Sequence, residues 1–239
     1  TRERCGWDQA MRQQLVRFFR RLGGLHVARL AFLGYLSYIA AGWVFLCLPW
    51  AGKGKPVSTL DHLFIATSAV STTGLVTVSV ADRYTLFGQI VVLLLIQLGG
   101  IGYMTLGSFV ILSRRGELPE VRAKVGRTVF SLPASFRIDK FILSVIRFTL
   151  VIEFLGAIAL YAAFRRAGVN EPLWSAVFHS VSAFCTAGFS LYNNSFEAFA
   201  ADFWLNAVVA VLSYLGAIGF IVCVDLWRMV RGKVNHMTL

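Results

Sequence analysis

Ser68–Val76, SAVSTTGLV, is small, rich in hydroxyls and contains one glycine, Gly74. It stands among apolar segments long enough to cross a bilayer. Non-helical backbone at membrane depth is tolerated only where it is buried in protein or lines a wet cavity. The meaning of this stretch therefore depends on whether the chain is a membrane protein, and on whether the pattern recurs.

Composition answers the first question. The 239 residues are 57% hydrophobic and 15% charged, with a mean hydropathy of +0.68. Soluble domains lie nearer about 45–50% apolar and about 25% charged. The net charge of +11 raises nucleic acid as a partner, but its distribution argues otherwise. Seven Lys/Arg lie in the chain up to and including Arg29; seven more lie between Ser113 and Lys140, and three follow Val224. The segments around Lys53, Arg83 and Arg165 carry five basic and five acidic residues, which cancel. Positive charge is confined to alternate connections, the positive-inside pattern, so no nucleic-acid partner is expected. Cys5, Cys47, Cys185 and Cys223 fit no zinc spacing. Residues 1–26, basic and amphipathic, read as a cytoplasmic helix lying at the headgroups rather than as a secretory signal.

Four segments read as spans of about 20 residues: 27–49, 86–112, 141–164 and 203–228. Charge places the N-terminus inside, in a multi-pass protein of the cell membrane. The two outer connections each hold a second, shorter apolar piece. The internal repeat emerges when DHLFIATSAVSTTGL (61–75) is laid over SAVFHSVSAFCTAGF (175–189). Phe64 meets Phe178, Ser68 meets Ser182, Thr72 meets Thr186 and Gly74 meets Gly188. LGGIGY (98–103) then falls over LGAIGF (215–220), at an offset of 117 residues against 114 for the first match. Both copies run inside to outside to inside, so they are parallel repeats about the membrane normal. The fold class expected is an all-α membrane protein of two parallel helix–pore helix–helix repeats, with a potassium-channel-like architecture. Its parts are a basic N-terminus (1–26), a first repeat (27–112), a cytoplasmic linker (113–140), a second repeat (141–228) and a tail (229–239). The short helices, near Thr59–Val70 and Leu173–Phe184, would be about 18 Å long, enough to enter and leave on the outer side.

The loops after these helices, Ser71-Thr72-Thr73-Gly74-Leu75 and Cys185-Thr186-Ala187-Gly188-Phe189, are the candidate ion-binding residues. A helix C-terminus carries partial negative charge. Extended backbone offers carbonyls that can replace an ion's hydration shell. Gly74 and Gly188 permit the torsions that turn those carbonyls to an axis, and Thr72 and Thr186 could add hydroxyl oxygens. Neither loop holds a carboxylate, which favours a weakly hydrated monovalent cation. The bland alternative is that both glycines merely cap helices.

At these residues the sequence resembles the Trk/Ktr/HKT superfamily of potassium transporters, in its KtrB/TrkH-type membrane subunit. The stretches that carry the resemblance are 61–109 and FHSVSAFCTAGFSLYNNSF (178–196). It implies potassium uptake, sometimes linked to sodium, through a pore of four helix–pore loop–helix repeats with one filter glycine each. It implies a homodimer in a bacterial membrane and a cytoplasmic nucleotide-binding ring that gates the pore. Only two repeats are present, and the chain stops at VNHMTL, where a third would begin. A front half is expected, whether fragment, cut chain or split gene product, completed by a second-half chain. Many relatives place asparagines before the second filter glycine, where this chain has Cys185 and Thr186. A two-repeat channel that dimerises and a non-conducting scaffold stay open as alternatives.

The remaining polar residues read as supports. GGIG (99–102) and GAIG (216–219) suit close helix packing through small residues, with a hinge as the alternative. Arg147 and Glu153 are charges within a span, six apart and so on different faces; Glu153 is expected to bond a neighbouring helix, and Gln97 to join helices. Asp61 should complement a helix dipole. Asp82, Glu171, Glu197 and Asp202 lie outside, where they could draw cations or simply be solvated. The linker should touch anionic lipid or a partner. The four histidines share no ligand spacing, and no nucleophile–base pair suggests an enzyme.

Overall fold

The computed structural model describes residues 27–102, 138–219 and 222–223. The expected amphipathic N-terminus, the expected linker 113–140 as far as residue 137, the ends of the expected spans at 103–112 and 224–228, and the tail lie outside the described residues. The elements are α1 (Val27–Leu46), α2 (Thr59–Val70), α3 (Val80–Arg83), α4 (Leu86–Gly100), α5 (Ile138–Arg166), α6 (Pro172–Phe184), a 3-10 turn (Glu197–Phe199) and α7 (Phe203–Ile218). The described residues contain no strand; one isolated bridge pairs Gly52 with Tyr84.

The elements form two similar sets. In the first, α2 packs between α1 and α4; in the second, α6 packs between α5 and α7. The sets meet where α4 lies against α6. One core joins them: Ile65, Ala69, Val92 and Ile96 from the first set are buried together with Phe178 and Phe184 from the second. Apolar side chains also cover the outside. Phe32 and Phe45 on α1, Phe154 and Leu155 on α5, and Phe203 and Val211 on α7 are exposed. Such continuous exposed apolar faces suit lipid rather than water. Among the described residues one helix, Ile142–Arg166, is long and apolar enough to cross a membrane. As helix, the 29 residues of α5 reach about 43 Å, beyond the roughly 30 Å hydrocarbon core.

The short helices start where local chemistry dictates. Ser58 caps α2: the Asp61 N–H donates to Ser58 Oγ at 3.1 Å, and Ser58 Oγ donates to Asp61 Oδ2 at 2.8 Å. One of the helix's unpaired N–H groups is thus satisfied, and its dipole is met by an acidic residue, the role expected of Asp61. Replacing Ser58 by Ala should cost about 1 kcal/mol of stability, read as a lower thermal unfolding midpoint of the detergent-solubilised protein; an unchanged midpoint would contradict this capping role. Pro172 opens α6, where a missing N–H leaves nothing unsatisfied.

Of the expected span 86–112, residues 86–102 are described. Helix α4 ends at Gly100, and Gly102 takes φ +87°. The matching break ends α7 at Ile218, before Gly219 at φ +80°. Close packing is the other role of these glycines. A Cβ on Gly99 would overlap the Val70 carbonyl, and one on Gly216 would overlap the Phe184 carbonyl. The small residues therefore let α4 and α7 touch the C-terminal turns of α2 and α6, and the glycine motifs both pack and end their helices.

Candidate functional site

The loops after α2 and α6 share one backbone design. At the first, the Thr72 N–H donates to the Ala69 carbonyl (3.2 Å) and the Thr73 N–H to the Ser68 carbonyl (3.0 Å). At the second, Thr186 donates to Ala183 (3.0 Å) and Ala187 to Ser182 (2.8 Å). These are Schellman closures, in which a left-handed residue ends the helix. That residue is usually glycine, but here Thr72 has φ +50° and Thr186 φ +51°. Positive φ is an outlier for a β-branched residue. Each threonine supports itself in the same way: Thr72 Oγ1 donates to the Ser71 carbonyl at 2.8 Å, and Thr186 Oγ1 to the Cys185 carbonyl at 2.7 Å. Strain of this kind is held only where the surroundings fix it.

The helix caps are therefore Ser71 and Cys185, followed by left-handed threonines. Gly74 and Gly188 come two residues later, at φ +79° and +71°, so capping does not account for them. They face each other. A Cβ on Gly74 would lie 2.5 Å from the Ala187 carbonyl oxygen and 3.1 Å from Gly188 Cα. The two loops thus meet backbone to backbone, joining parts of the chain 114 residues apart.

No hydrogen bond from the described residues reaches the carbonyls of Thr72, Thr73 and Gly74, or those of Thr186, Ala187 and Gly188. Backbone acceptors without partners ordinarily meet water or a ligand. The flanking carbonyls differ. Those of Ser71 and Cys185 accept from the threonine hydroxyls, which are accordingly engaged. The Phe189 carbonyl accepts from buried Ser182 Oγ at 2.7 Å. Near the end of α2 the hydroxyl of Ser68, aligned with that of Ser182, is buried with no hydrogen-bond partner among the described residues. Leu75 is exposed, whereas Phe189 is buried. The Cys185 side chain is buried as well, facing Gly100, Gln97 and Glu153 rather than the open side.

Both glycines border an open cleft of about 570 Å³ lined by Val76, Thr77, Ser79, Asp82 and Asn193. Asn193 bridges the two copies: its Nδ2 donates to Asp82 Oδ2 at 2.8 Å, and its Oδ1 accepts from Ser79 Oγ. Asp82 is the one expected outer acid at this cleft. Asp202 instead caps α7 through the Leu205 N–H (3.0 Å), and Glu171 precedes α6 at φ +55°. The roles of Asn193 and Ser182 escaped the sequence reading, although the match of Ser182 with Ser68 marked the position.

His179 also emerges only in three dimensions. Its Nε2 accepts from the Leu191 N–H (3.2 Å), which leaves Nδ1 to donate to the Ser175 carbonyl (2.7 Å). The ring stacks on Tyr192, with centroids 5.0 Å apart, inside a cluster with Phe164 and Phe196. It ties the chain leaving Gly188 back to α6. Among the described residues no three His, Cys, Asp or Glu side chains gather as a metal site.

Comparison with known proteins identifies the family of the chain. The family described as TrkH, cation transport protein, matches residues 13–238. The chain is 32% identical over 210 residues to the potassium/sodium uptake protein NtpJ of Enterococcus hirae, covering 86% of this chain and 46% of that protein. It is 31% identical over 202 residues to the Ktr system potassium uptake protein B of Bacillus subtilis, covering 84% and 45%. For the protein of the same name from Vibrio alginolyticus the figures are 32% over 201 residues, 84% and 44%. The chain spans a little under half the length of these curated relatives. With its all-helical described structure and apolar exterior, the chain belongs to the TrkH family of membrane cation transport proteins.

Proposed function

We propose that this chain supplies two of the four loops of a potassium-conducting filter, as part of a Trk/Ktr-type uptake system in a bacterial cell membrane. The carrying observation is the backbone contact of Gly74 with Gly188, each placed beyond a strained left-handed threonine and beside carbonyls that accept no hydrogen bond from the described residues. In this reading α2 and α6 are re-entrant pore helices whose C-terminal partial charges favour a cation. The carbonyls of Thr72, Thr73 and Gly74, with those of Thr186, Ala187 and Gly188, take the place of water around it. Ser71, Leu75, Cys185 and Phe189 complete the loops and hold them. Neutral oxygens suit potassium, with sodium admitted less well. The cleft at Asp82 is the outer vestibule, and the N-terminus lies in the cytoplasm.

Two neighbouring loops enclose only part of an axis. Two further loops, in the same polypeptide or a second-half chain, are required to close it. A homodimer and a cytoplasmic nucleotide-binding ring belong to the same proposal, and the basic linker 113–140 would touch anionic lipid or that ring.

The test is rubidium uptake into liposomes holding the complete transporter. Uptake should follow the cation gradient and be competed by potassium more strongly than by sodium. A folded, reconstituted protein that passes neither rubidium nor sodium would defeat the proposal and favour a non-conducting scaffold.

A further inference from the structure

We infer that Glu153 is a positioning residue for the second glycine loop, holding it from behind through Gln97 and Cys185; the inference rests on the filter reading above. Glu153, in the middle of α5, is 6% exposed. A carboxylate inside a membrane protein is costly and needs partners. Both of its oxygens lie 2.9 Å from Gln97 Nε2, on α4 of the other repeat. Cys185 Sγ lies 3.8 Å from Glu153 Oε1 and 3.9 Å from Gln97 Oε1, within the reach of a thiol donor. The Ser180 hydroxyl donates to the Glu153 main-chain carbonyl at 2.7 Å, locking α5 to α6 at the same level.

This cluster touches the loop at its most constrained point. Cys185 is the cap of α6 and directly precedes Thr186, the residue at φ +51°. Cys185 also presses on Gly100, where a Cβ would overlap its Sγ. Gly100 therefore lets the thiol lie close against α4, beside Gln97 and Glu153. The position of the thiol, and with it the direction of the Thr186 and Ala187 carbonyls, is set by the carboxylate–amide pair. The first loop has no such backing: Ala66 and Ser71 stand where the second repeat has Ser180 and Cys185. Electrostatics makes the arrangement more pointed. A carboxylate near a helix C-terminus meets charge of its own sign, so packing alone would not favour an acid here.

Cys185 itself provides the readout. In the complete transporter carrying Cys5→Ser, Cys47→Ser and Cys223→Ser, with labelling read by mass on the peptide that contains Cys185, that thiol should react slowly with a small maleimide. Glu153→Ala should raise that rate about tenfold and lower the preference for rubidium over sodium. Glu153→Gln, which keeps an acceptor for Gln97, should stay near the unsubstituted protein. Gln97→Glu alone should loosen the loop by setting two acids together, and Gln97→Glu with Glu153→Gln should restore both labelling and preference. Should Glu153→Ala fail to fold, the Gln97→Glu single and double variants decide alone. Unchanged labelling and ion preference in folded Glu153→Ala, or no rescue in the double variant, would overturn the inference. If the unsubstituted protein conducts nothing, labelling still tests the support of the loop, so failure of the filter reading is seen separately.

Discussion

Gly74→Ala should abolish rubidium uptake by the complete transporter, whereas Gly188→Ala should only weaken it. The two glycines align in the repeat and share positive φ, yet their surroundings differ. Each substitution forces a side chain into left-handed backbone, costing about 1–2 kcal/mol. At Gly188 little else happens, because the nearest atom to the added carbon is Gly74 Cα at 3.5 Å, an ordinary contact. At Gly74 the added carbon meets the Ala187 carbonyl oxygen at 2.5 Å and Gly188 Cα at 3.1 Å. Both are backbone atoms, so no rotamer change relieves the overlap, and the loops must part. In the proposed filter that separation displaces the carbonyls that would hold the ion.

Two controls isolate the causes. Gly168 has φ +69° and nothing within 4 Å of its would-be Cβ, so Gly168→Ala carries the torsional cost without a clash. Gly188→Asn should recover part of the loss, because Asn enters left-handed backbone more readily than Ala. The measurement is initial rubidium uptake into liposomes, normalised to protein that elutes as a single species. Gly74→Ala transporting at the unsubstituted rate would remove the loop contact from the mechanism, and equal loss at both glycines would remove the asymmetry.

How much of this was legible before the structure depends on the range of the forces involved. The short helices, expected near Thr59–Val70 and Leu173–Phe184, form over Thr59–Val70 and Pro172–Phe184, since each short apolar piece stands apart within its outer connection. The pairing of the two loops was readable as a repeat. Their direct contact was not, because periodicity says nothing about which backbones touch. The left-handed threonines could not be foreseen: Thr disfavours that conformation, and only the closed loop imposes it. The break at Gly100–Gly102 was masked by apolar sequence continuing to residue 112, which outweighed two adjacent glycines in a helical pattern. Glu153 stood out as an isolated intramembrane charge, but its partner Gln97 lies on another helix, and a single sequence carries no mark of that pairing. The burial of Cys185 against Gly100 follows from the approach of α4 to α6, which the order of residues along the chain does not disclose.

That approach leads to the second large effect, at the glycines that let α4 and α7 reach the short helices. Gly216→Ala should destabilise the protein more than Gly42→Ala, although both introduce one methyl group into a packed contact. At Gly42 the added carbon meets the end of the Leu95 side chain, at 2.6 Å from both of its methyl carbons. Leu95 can turn, so the cost should stay near the lower end of the roughly 1–3 kcal/mol typical of overpacking. At Gly216 the obstacle is the Phe184 carbonyl, which belongs to the last turn of α6 and cannot turn without unwinding it. The cost should reach or exceed the upper end of that range. Gly99 repeats the situation against the Val70 carbonyl, so Gly99→Ala should behave like Gly216→Ala. The disturbance is also directional. Moving Phe184 shifts Cys185 and Thr186, the cap and the strained residue of the second loop, so ion preference should fall in any folded protein that remains. Thermal unfolding of the solubilised transporter, with rubidium and sodium uptake by the surviving fraction, separates the two consequences. Equal unfolding midpoints for Gly42→Ala and Gly216→Ala would show that the C-terminal turn of α6 yields freely, and a turn that yields freely could not hold the loop beyond it in register.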